Sequence, residues 1–105
     1  KIVNLLKKAG AREVHLLLTC PEVKFPCFYG IDMATRKELL AAQKSVEEIR
    51  EYVGADSLTY QTIESLKNAI GVPLCTACLD GKYPTGISQK DFEESEAQRE
   101  KERNP

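Results

Sequence analysis

The chain has 105 residues and a mass of 11.7 kDa, which is enough for one small domain. Its 15 Lys and Arg residues against 16 Asp and Glu residues leave a net charge of -1, so no basic surplus argues for nucleic-acid binding. No apolar run approaches the ~20 residues of a membrane span, and a chain of this size buries a modest core but no deep active-site cleft.

The first predicted element is a helix over residues 1–9. Its apolar residues recur at helical spacing to form one buried face, and Gly10 is a typical helix-ending residue. No N-cap residue precedes Lys1. We therefore expect the chain to be a piece of a longer protein, in which case the missing signal peptide says nothing about its compartment.

The second predicted element is a strand from Glu13 to Thr19. Its nearly continuous apolar run is typical of a parallel strand that is covered on both faces. His15 lies within this strand, and no acid or nucleophile stands at a readable spacing from it. We interpret it as a structural histidine that bonds to a neighbour, not as a catalytic one.

The middle of the chain alternates between loops and short elements. In chain order we predict a loop around Pro21 and Pro26, a helix from the capping box Thr35-x-x-Glu38 to about Ala42, a helix from the capping box Ser45-x-x-Glu48 to Gly54, a strand Ser57–Tyr60 and a helix Thr62–Ile70. A two-strand sheet is marginal alone. The order indicates the last part of an α/β domain whose other strands lie upstream.

The end of the chain, residues 89–105, is highly charged. From Lys90 to Pro105 ten of sixteen residues carry a charge, and Phe92 is the only large apolar side chain. Such a segment has little apolar surface to offset the entropy of ordering. We predict a solvated helix or a disordered tail.

The four cysteines allow several interpretations. Cys75 and Cys78 form a C-x-x-C pair whose sulfurs a tight turn brings together. The turn residues after the pair disfavour a thioredoxin-like redox site, and nothing selects among the possible disulfides. Zinc would need Cys20 and Cys27 as further ligands, which would make the chain a stand-alone metal-binding interaction module. An iron–sulfur cluster would use the pair with Cys27 in its proline-flanked loop, and would lack one ligand.

Several strings resemble, in order, the C-terminal part of the amidophosphoribosyltransferase family, also called glutamine phosphoribosylpyrophosphate amidotransferases. The resemblance covers roughly residues 1–88. The strings are Ala9-Gly10-Ala11-Arg12-Glu13-Val14-His15, Pro26-Cys27-Phe28-Tyr29-Gly30-Ile31-Asp32-Met33, Ser45-Val46-Glu47-Glu48-Ile49, Gly54-Ala55-Asp56-Ser57-Leu58 and Cys75-x-x-Cys78-x-x-Gly81-Lys82-Tyr83-Pro84-Thr85.

The resemblance implies a fold and a metal centre. The fold would be the C-terminal portion of a type I phosphoribosyltransferase, a parallel sheet with flanking helices that is incomplete on its own. Members with cysteines at these positions bind a [4Fe–4S] cluster that is structural or regulatory. Cys27, Cys75 and Cys78 match three of its ligands, and the fourth belongs to a segment outside this chain. Cys20 stands at the position of a small polar residue, so we interpret it as a non-ligand.

The resemblance also implies the reaction of the parent enzyme. Glutamine supplies ammonia, which displaces pyrophosphate from phosphoribosyl pyrophosphate in the presence of Mg²⁺ and gives phosphoribosylamine, the first committed step of purine synthesis. The glutaminase cysteine, the phosphate-binding loop and the Mg²⁺ ligands would lie outside this chain, so we expect no catalytic residue in it and no activity from it alone. The expected partners are the rest of the amidotransferase chain and further copies of it, in the cytoplasm, with no nucleic acid and no membrane.

Overall fold

The computed structural model describes all 105 residues as an α/β arrangement of six helices and two strands. No helix is both long enough and apolar enough to cross a bilayer. In chain order the elements are α1 (Ile2–Lys8), β1 (His15–Leu18), α2 (Leu40–Gln43), α3 (Val46–Val53), β2 (Ser57–Tyr60), α4 (Ile63–Ile70), α5 (Ala77–Asp80) and α6 (Gln89–Arg103).

The two strands pair in parallel, as the apolar pattern of β1 predicts. The register runs from His15 opposite Ser57 to Leu18 opposite Tyr60, and α2 and α3 lie in the connection between the strands. At the start of the ladder the Val14 N–H donates to the Asp56 carboxylate at 2.7 Å, and the Asp56 N–H donates back to the Val14 carbonyl at 2.9 Å. The carboxylate and the backbone N–H of Asp56 therefore set the register of the two strands.

The core beside this sheet is small. Val3, Val14 and Ala55 are buried together, and Leu16 and Val53 pack against them. The prediction of a fully buried α1 face and of a strand covered on both sides is wrong for this chain by itself. The exposed side chains there include Leu17 at 77% and Ile2 at 71%. The physical reason is that two strands and their short helices supply too little surface to cover both faces.

The capping boxes differ in what they achieve. The Ser45 hydroxyl accepts from the Glu48 N–H at 3.2 Å, and α3 ends at Gly54 with a left-handed φ of 76°, as predicted. The Glu48 side chain makes no return bond to Ser45, so only half of the predicted capping box forms. The Thr35 hydroxyl instead donates to the Glu38 carboxylate at 3.0 Å. It does not cap the Glu38 N–H, so this segment makes a turn and the helix α2 begins only at Leu40.

The charged end of the chain is an ordered helix with one face against the rest of the protein. Ser88 and Asp91 form a reciprocal capping box at its start, and Phe92 is buried at 6% exposure. The sequence predicts a solvated helix or a disordered tail, and the segment is a helix. Its packing was not predicted, because it depends on a single aromatic side chain and a set of ion pairs with distant residues. The four-residue helix α5 was also not predicted.

We predict that Ile49→Ala destabilises the intact protein by about 2–5 kcal/mol, because Ile49 is 3% exposed and its removal leaves a cavity under α3. Chemical denaturation of the intact protein measures the loss. Glu48→Ala on the same helix is the control, since the Glu48 side chain is exposed and has no polar partner. Equal stabilities of the two variants would contradict the assigned core.

Candidate metal centre

All four cysteines are free thiols, and they lie in three neighbouring segments. Cys20 follows the end of β1, Cys27 lies in the loop after it, Cys75 precedes α5 and Cys78 lies within α5. Cys27 and Cys78 are partly buried, whereas Cys20 and Cys75 are exposed. The thiols therefore belong to parts of the chain that are separated by about fifty residues.

Backbone hydrogen bonds join the segment before Cys27 to α5. The N–H groups of Lys24 and Phe25 both donate to the carbonyl of Cys78, at 3.0 and 3.1 Å. The Tyr83 hydroxyl donates to the Pro26 carbonyl at 2.7 Å. These bonds connect residues more than fifty positions apart, so they hold the Cys27 segment and the C-x-x-C segment side by side.

The electrostatics of Cys78 report the same proximity. Burial raises the pKa of the Cys78 thiol, and the thiols of Cys20, Cys27 and Cys75 raise it further. The pKa of Tyr83 is raised to about 12, first by burial and then by Cys78 and Cys27. Burial and the neighbouring cysteines thus disfavour the ionised form of Cys78, and a cation bound beside its sulfur would favour that form.

The thiols do not converge on a single point. No three side chains among the His, Cys, Asp and Glu residues are grouped closely enough to hold one metal ion. The sulfur of Cys27 instead accepts a hydrogen bond from the Tyr29 N–H at 3.3 Å. Backbone N–H groups that bond to cysteine sulfur are a common feature of iron–sulfur sites.

Five aromatic side chains form a cluster in the segments around Cys27 and Cys78 and at the start of α6. The contacting ring centroids are separated by 5.1 to 6.4 Å, and all five pairs pack edge to face or tilted. Its members are Phe25, Phe28, Tyr29, Tyr83 and Phe92. The cluster joins the loop that contains Cys27, the segment after α5 and the helix α6.

The helix α6 is attached to this region by ion pairs. The Arg36 guanidinium binds both carboxylate oxygens of Glu96, at 2.8 to 3.2 Å, and stacks 4.2 Å from the Phe92 ring centroid. Arg99 donates to the carbonyls of Cys27 and Met33, each at 3.1 Å. Sequence reasoning missed these residues; the one apolar side chain in the charged segment, Phe92, was the available signal.

His15 has the structural role that the sequence predicts. Its Nδ1 lies 2.7 Å from the Ser57 hydroxyl on the paired strand, and its Nε2 lies 3.0 Å from the Glu13 carboxylate. Both ring nitrogens therefore have partners at the exposed edge of the sheet. His15 therefore contributes to strand pairing.

The parallel strand pair, the flanking helices and the neighbouring thiols define a partial α/β domain with a candidate metal centre. No protein-family model matches the chain. The amidophosphoribosyltransferase of Methanothermobacter thermautotrophicus is 52% identical over 101 residues, which cover 93% of this chain and 21% of that protein. That of Methanocaldococcus jannaschii is 54% identical over 89 residues, covering 84% and 19%.

Solved structures agree with these relatives. The glutamine phosphoribosylpyrophosphate amidotransferase from B. subtilis, complexed with ADP and GMP, has a TM-score of 0.74 and 47% identity over 83% of this chain and 21% of that one. The chain is homologous to a part of the amidophosphoribosyltransferases, as the sequence motifs predict. It spans about a fifth of the length of these relatives.

We predict that Gly81→Ala destabilises the region after α5 by about 1–2 kcal/mol. Gly81 has a left-handed φ of 74°, and an added Cβ would lie 3.0 Å from the Phe25 ring. Gly86→Ala is the matched control, because its Cβ would meet nothing within 4 Å. Thermal unfolding of the intact protein measures both changes, and a Gly81→Ala variant as stable as Gly86→Ala would contradict the packing of Phe25.

We predict that α6 loosens as the pH falls. Hydrogen bonds from Arg36 hold the pKa of Glu96 below its usual 4.5. A lowered carboxyl pKa adds stability above the usual value, and that stability is lost as the pH falls through the native pKa. The protection factors of α6 amides, which compare their exchange rates with those of an unstructured chain at the same pH, should therefore fall below about pH 4.5.

Glu96→Gln controls for the other carboxylates of the region. The pKa values of Glu38 and Asp91 are also lowered, by Thr35 and by Ser88, and both remain in this variant. The wild type should lose more α6 protection than Glu96→Gln over the same acid range. Parallel pH profiles for the two proteins would show that Glu96 does not carry the effect.

Proposed function

We propose that this chain is the cluster-binding part of an amidophosphoribosyltransferase and that Cys27, Cys75 and Cys78 are ligands of a [4Fe–4S] cluster. The main support is that the Cys78 carbonyl accepts two backbone hydrogen bonds from the residues just before Cys27, which holds the two cysteine segments side by side. The fourth ligand would come from outside this chain, with Cys20 a neighbour and not a ligand.

The donor set fits a cluster better than a single zinc ion. Four thiolates around one zinc ion must converge within the first coordination sphere, whereas a four-iron cluster has its cysteine ligands on separate iron atoms. The thiols here lie near one another without any three grouped for one ion. The Tyr29 N–H on the Cys27 sulfur supplies a bond of the kind that orients cluster ligands, and aromatic packing joins the two segments that carry the thiols.

The proposed role of the cluster is structural. When bound, the cluster would cross-link the loop that contains Cys27 to the C-x-x-C segment through iron–thiolate bonds. The residues of this chain already bring those segments together through the Cys78 carbonyl and the Tyr83 hydroxyl. The cluster would add covalent strength to an arrangement that has few backbone hydrogen bonds in the loop itself.

The reaction of the intact protein is part of the same proposal. Ammonia released from glutamine would displace pyrophosphate from phosphoribosyl pyrophosphate, with Mg²⁺ and the catalytic residues held by other parts of the polypeptide. The unpaired strand edges and exposed Leu17, Ile2 and Leu5 provide a surface on which the remainder of such a domain would pack. We further propose a cytoplasmic, homo-oligomeric enzyme.

We predict that the intact protein, purified without oxygen, contains about four iron and four sulfide per chain and absorbs visible light. Cys27→Ser, Cys75→Ser and Cys78→Ser should each lose most of the iron, because serine is a poor replacement for a thiolate ligand. Cys20→Ser is the matched control and should retain it. Iron and sulfide analysis with visible spectra measures all five proteins.

Three results would contradict this proposal. Colourless protein with stoichiometric zinc would favour the stand-alone metal module, and iron retained in all three ligand variants would remove the cluster assignment. Iron lost from Cys20→Ser would make Cys20 a ligand. Pyrophosphate release from phosphoribosyl pyrophosphate with glutamine tests the reaction separately from the metal.

A further inference from the structure

We propose that α6 is a strap across the loop of residues 26–37, called here the Cys27 loop, and that Arg99 is the residue that positions Cys27. The inference deepens the proposed metal centre and rests on it. It assigns a function to the charged segment that composition alone describes as solvated. Arg99 acts through the backbone of Cys27 and is therefore a positioning residue, not a ligand.

The Cys27 loop has almost no backbone hydrogen bonds of its own. From residue 26 to residue 37 no backbone N–H donates to a backbone carbonyl. Three N–H groups in this stretch bond to side-chain atoms instead: Tyr29 to Cys27, Thr35 to Glu38 and Arg36 to Glu96. A loop without a backbone ladder takes its shape from the side chains that bind it, so those side chains determine where Cys27 lies.

Arg99 contacts the loop at two separated points. Its Nη2 donates to the Cys27 carbonyl and its Nη1 donates to the Met33 carbonyl, each at 3.1 Å. A planar guanidinium with a fixed fork of donors spans these two acceptors in one geometry. The carbonyl carbon of Cys27 is bonded directly to its Cα, so holding the carbonyl restricts the backbone position from which the thiol side chain extends.

A second arginine one turn further along α6 supports the same loop. Arg103 donates to the Glu38 carboxylate at 2.9 Å and to the Met33 carbonyl at 3.3 Å. Two guanidinium groups therefore bind the Met33 carbonyl. The contacts follow the spacing of one helix face, which explains how a segment with hardly any apolar residues remains attached.

Docking of α6 does not depend on Arg99. Phe92 is buried in the aromatic cluster, and the Glu96 carboxylate is bonded by both the side chain and the N–H of Arg36. Both anchors precede Arg99 along the helix. Replacing Arg99 with alanine should therefore leave the helix in place and release only the Cys27 and Met33 carbonyls, because alanine is also the best helix former.

The consequence for the metal centre is measurable. Groups that orient a metal ligand without touching the metal change metal affinity or activity about 10–100-fold when they are removed. We expect Arg99→Ala in the intact protein to lose iron to a chelator about tenfold faster than the wild type. Arg99→Lys, which keeps the charge but not the fork, should give an intermediate rate.

Lys101→Ala is the matched control. Lys101 lies two residues away on α6, is exposed and has no hydrogen bond or ion pair. Lys101→Ala removes one positive charge from α6, as Arg99→Ala does, so the variant protein should release iron at the wild-type rate. Unchanged midpoints of thermal unfolding would show that all variants keep the fold, and Arg99→Lys decides the test if Arg99→Ala does not fold.

Alkylation of Cys27 gives a readout that does not require the cluster. In protein stripped of metal, Cys27 should react about fivefold faster in Arg99→Ala than in Lys101→Ala, while Cys75, which α6 does not contact, should react equally in both. Mass spectrometry of labelled peptides measures both rates. If even the wild type holds no iron, the proposed metal centre fails, and the alkylation ratio still decides the role of the strap.

Equal Cys27 rates in Arg99→Ala and Lys101→Ala would overturn the inference. So would equal rates of iron loss in these two variants. Equal acceleration at Cys27 and Cys75 would also overturn it, because that result would indicate general loosening in place of local positioning.

Discussion

The arrangement of this chain depends on the bonds that hold an irregular loop in place. The Cys27 loop has no backbone ladder, so its geometry is imposed from outside by three elements. The Cys78 carbonyl accepts from the residues just before it, the Tyr83 hydroxyl bonds to its first carbonyl, and α6 binds its later carbonyls. The thiols lie near one another because these bonds join distant parts of the sequence.

The rest of the fold supports that loop from one side and leaves the other side open. The parallel pair β1 and β2 carries a small core around Val14, and each strand has an edge without a partner. The chain spans about a fifth of the length of the related amidophosphoribosyltransferases, and about half of the aligned residues are identical. A sheet with unpaired edges is what a part of a larger α/β domain should present.

Much of this architecture could be predicted from the sequence. The strand Ser57–Tyr60 and the helices ended by Gly54 and Gly71 follow from alternation, capping residues and the need of a left-handed residue at a helix end. The family followed from strings around Cys27 and Cys78. These features are local, so a short window of sequence contains all the information they need.

The rest depended on contacts between distant residues. Arg99 bonds to a carbonyl 72 positions away, and Glu96 pairs with Arg36 across 60 positions. A run of charged residues contains no local signal for such distant partners. The sequence therefore predicts a solvated or disordered segment, although one face of α6 packs against the rest of the protein. The Thr35 box failed for a similar reason: the pattern was present, but the hydroxyl bonded to a carboxylate and not to the backbone.

The most direct test of the account is the position of iron in the intact protein. A crystal grown without oxygen, with diffraction recorded on both sides of the iron absorption edge, would locate it by its anomalous signal. The account predicts iron density in contact with the sulfurs of Cys27, Cys75 and Cys78, with Arg99 on the Cys27 carbonyl. An iron-free map in which those sulfurs face unrelated surroundings would contradict it.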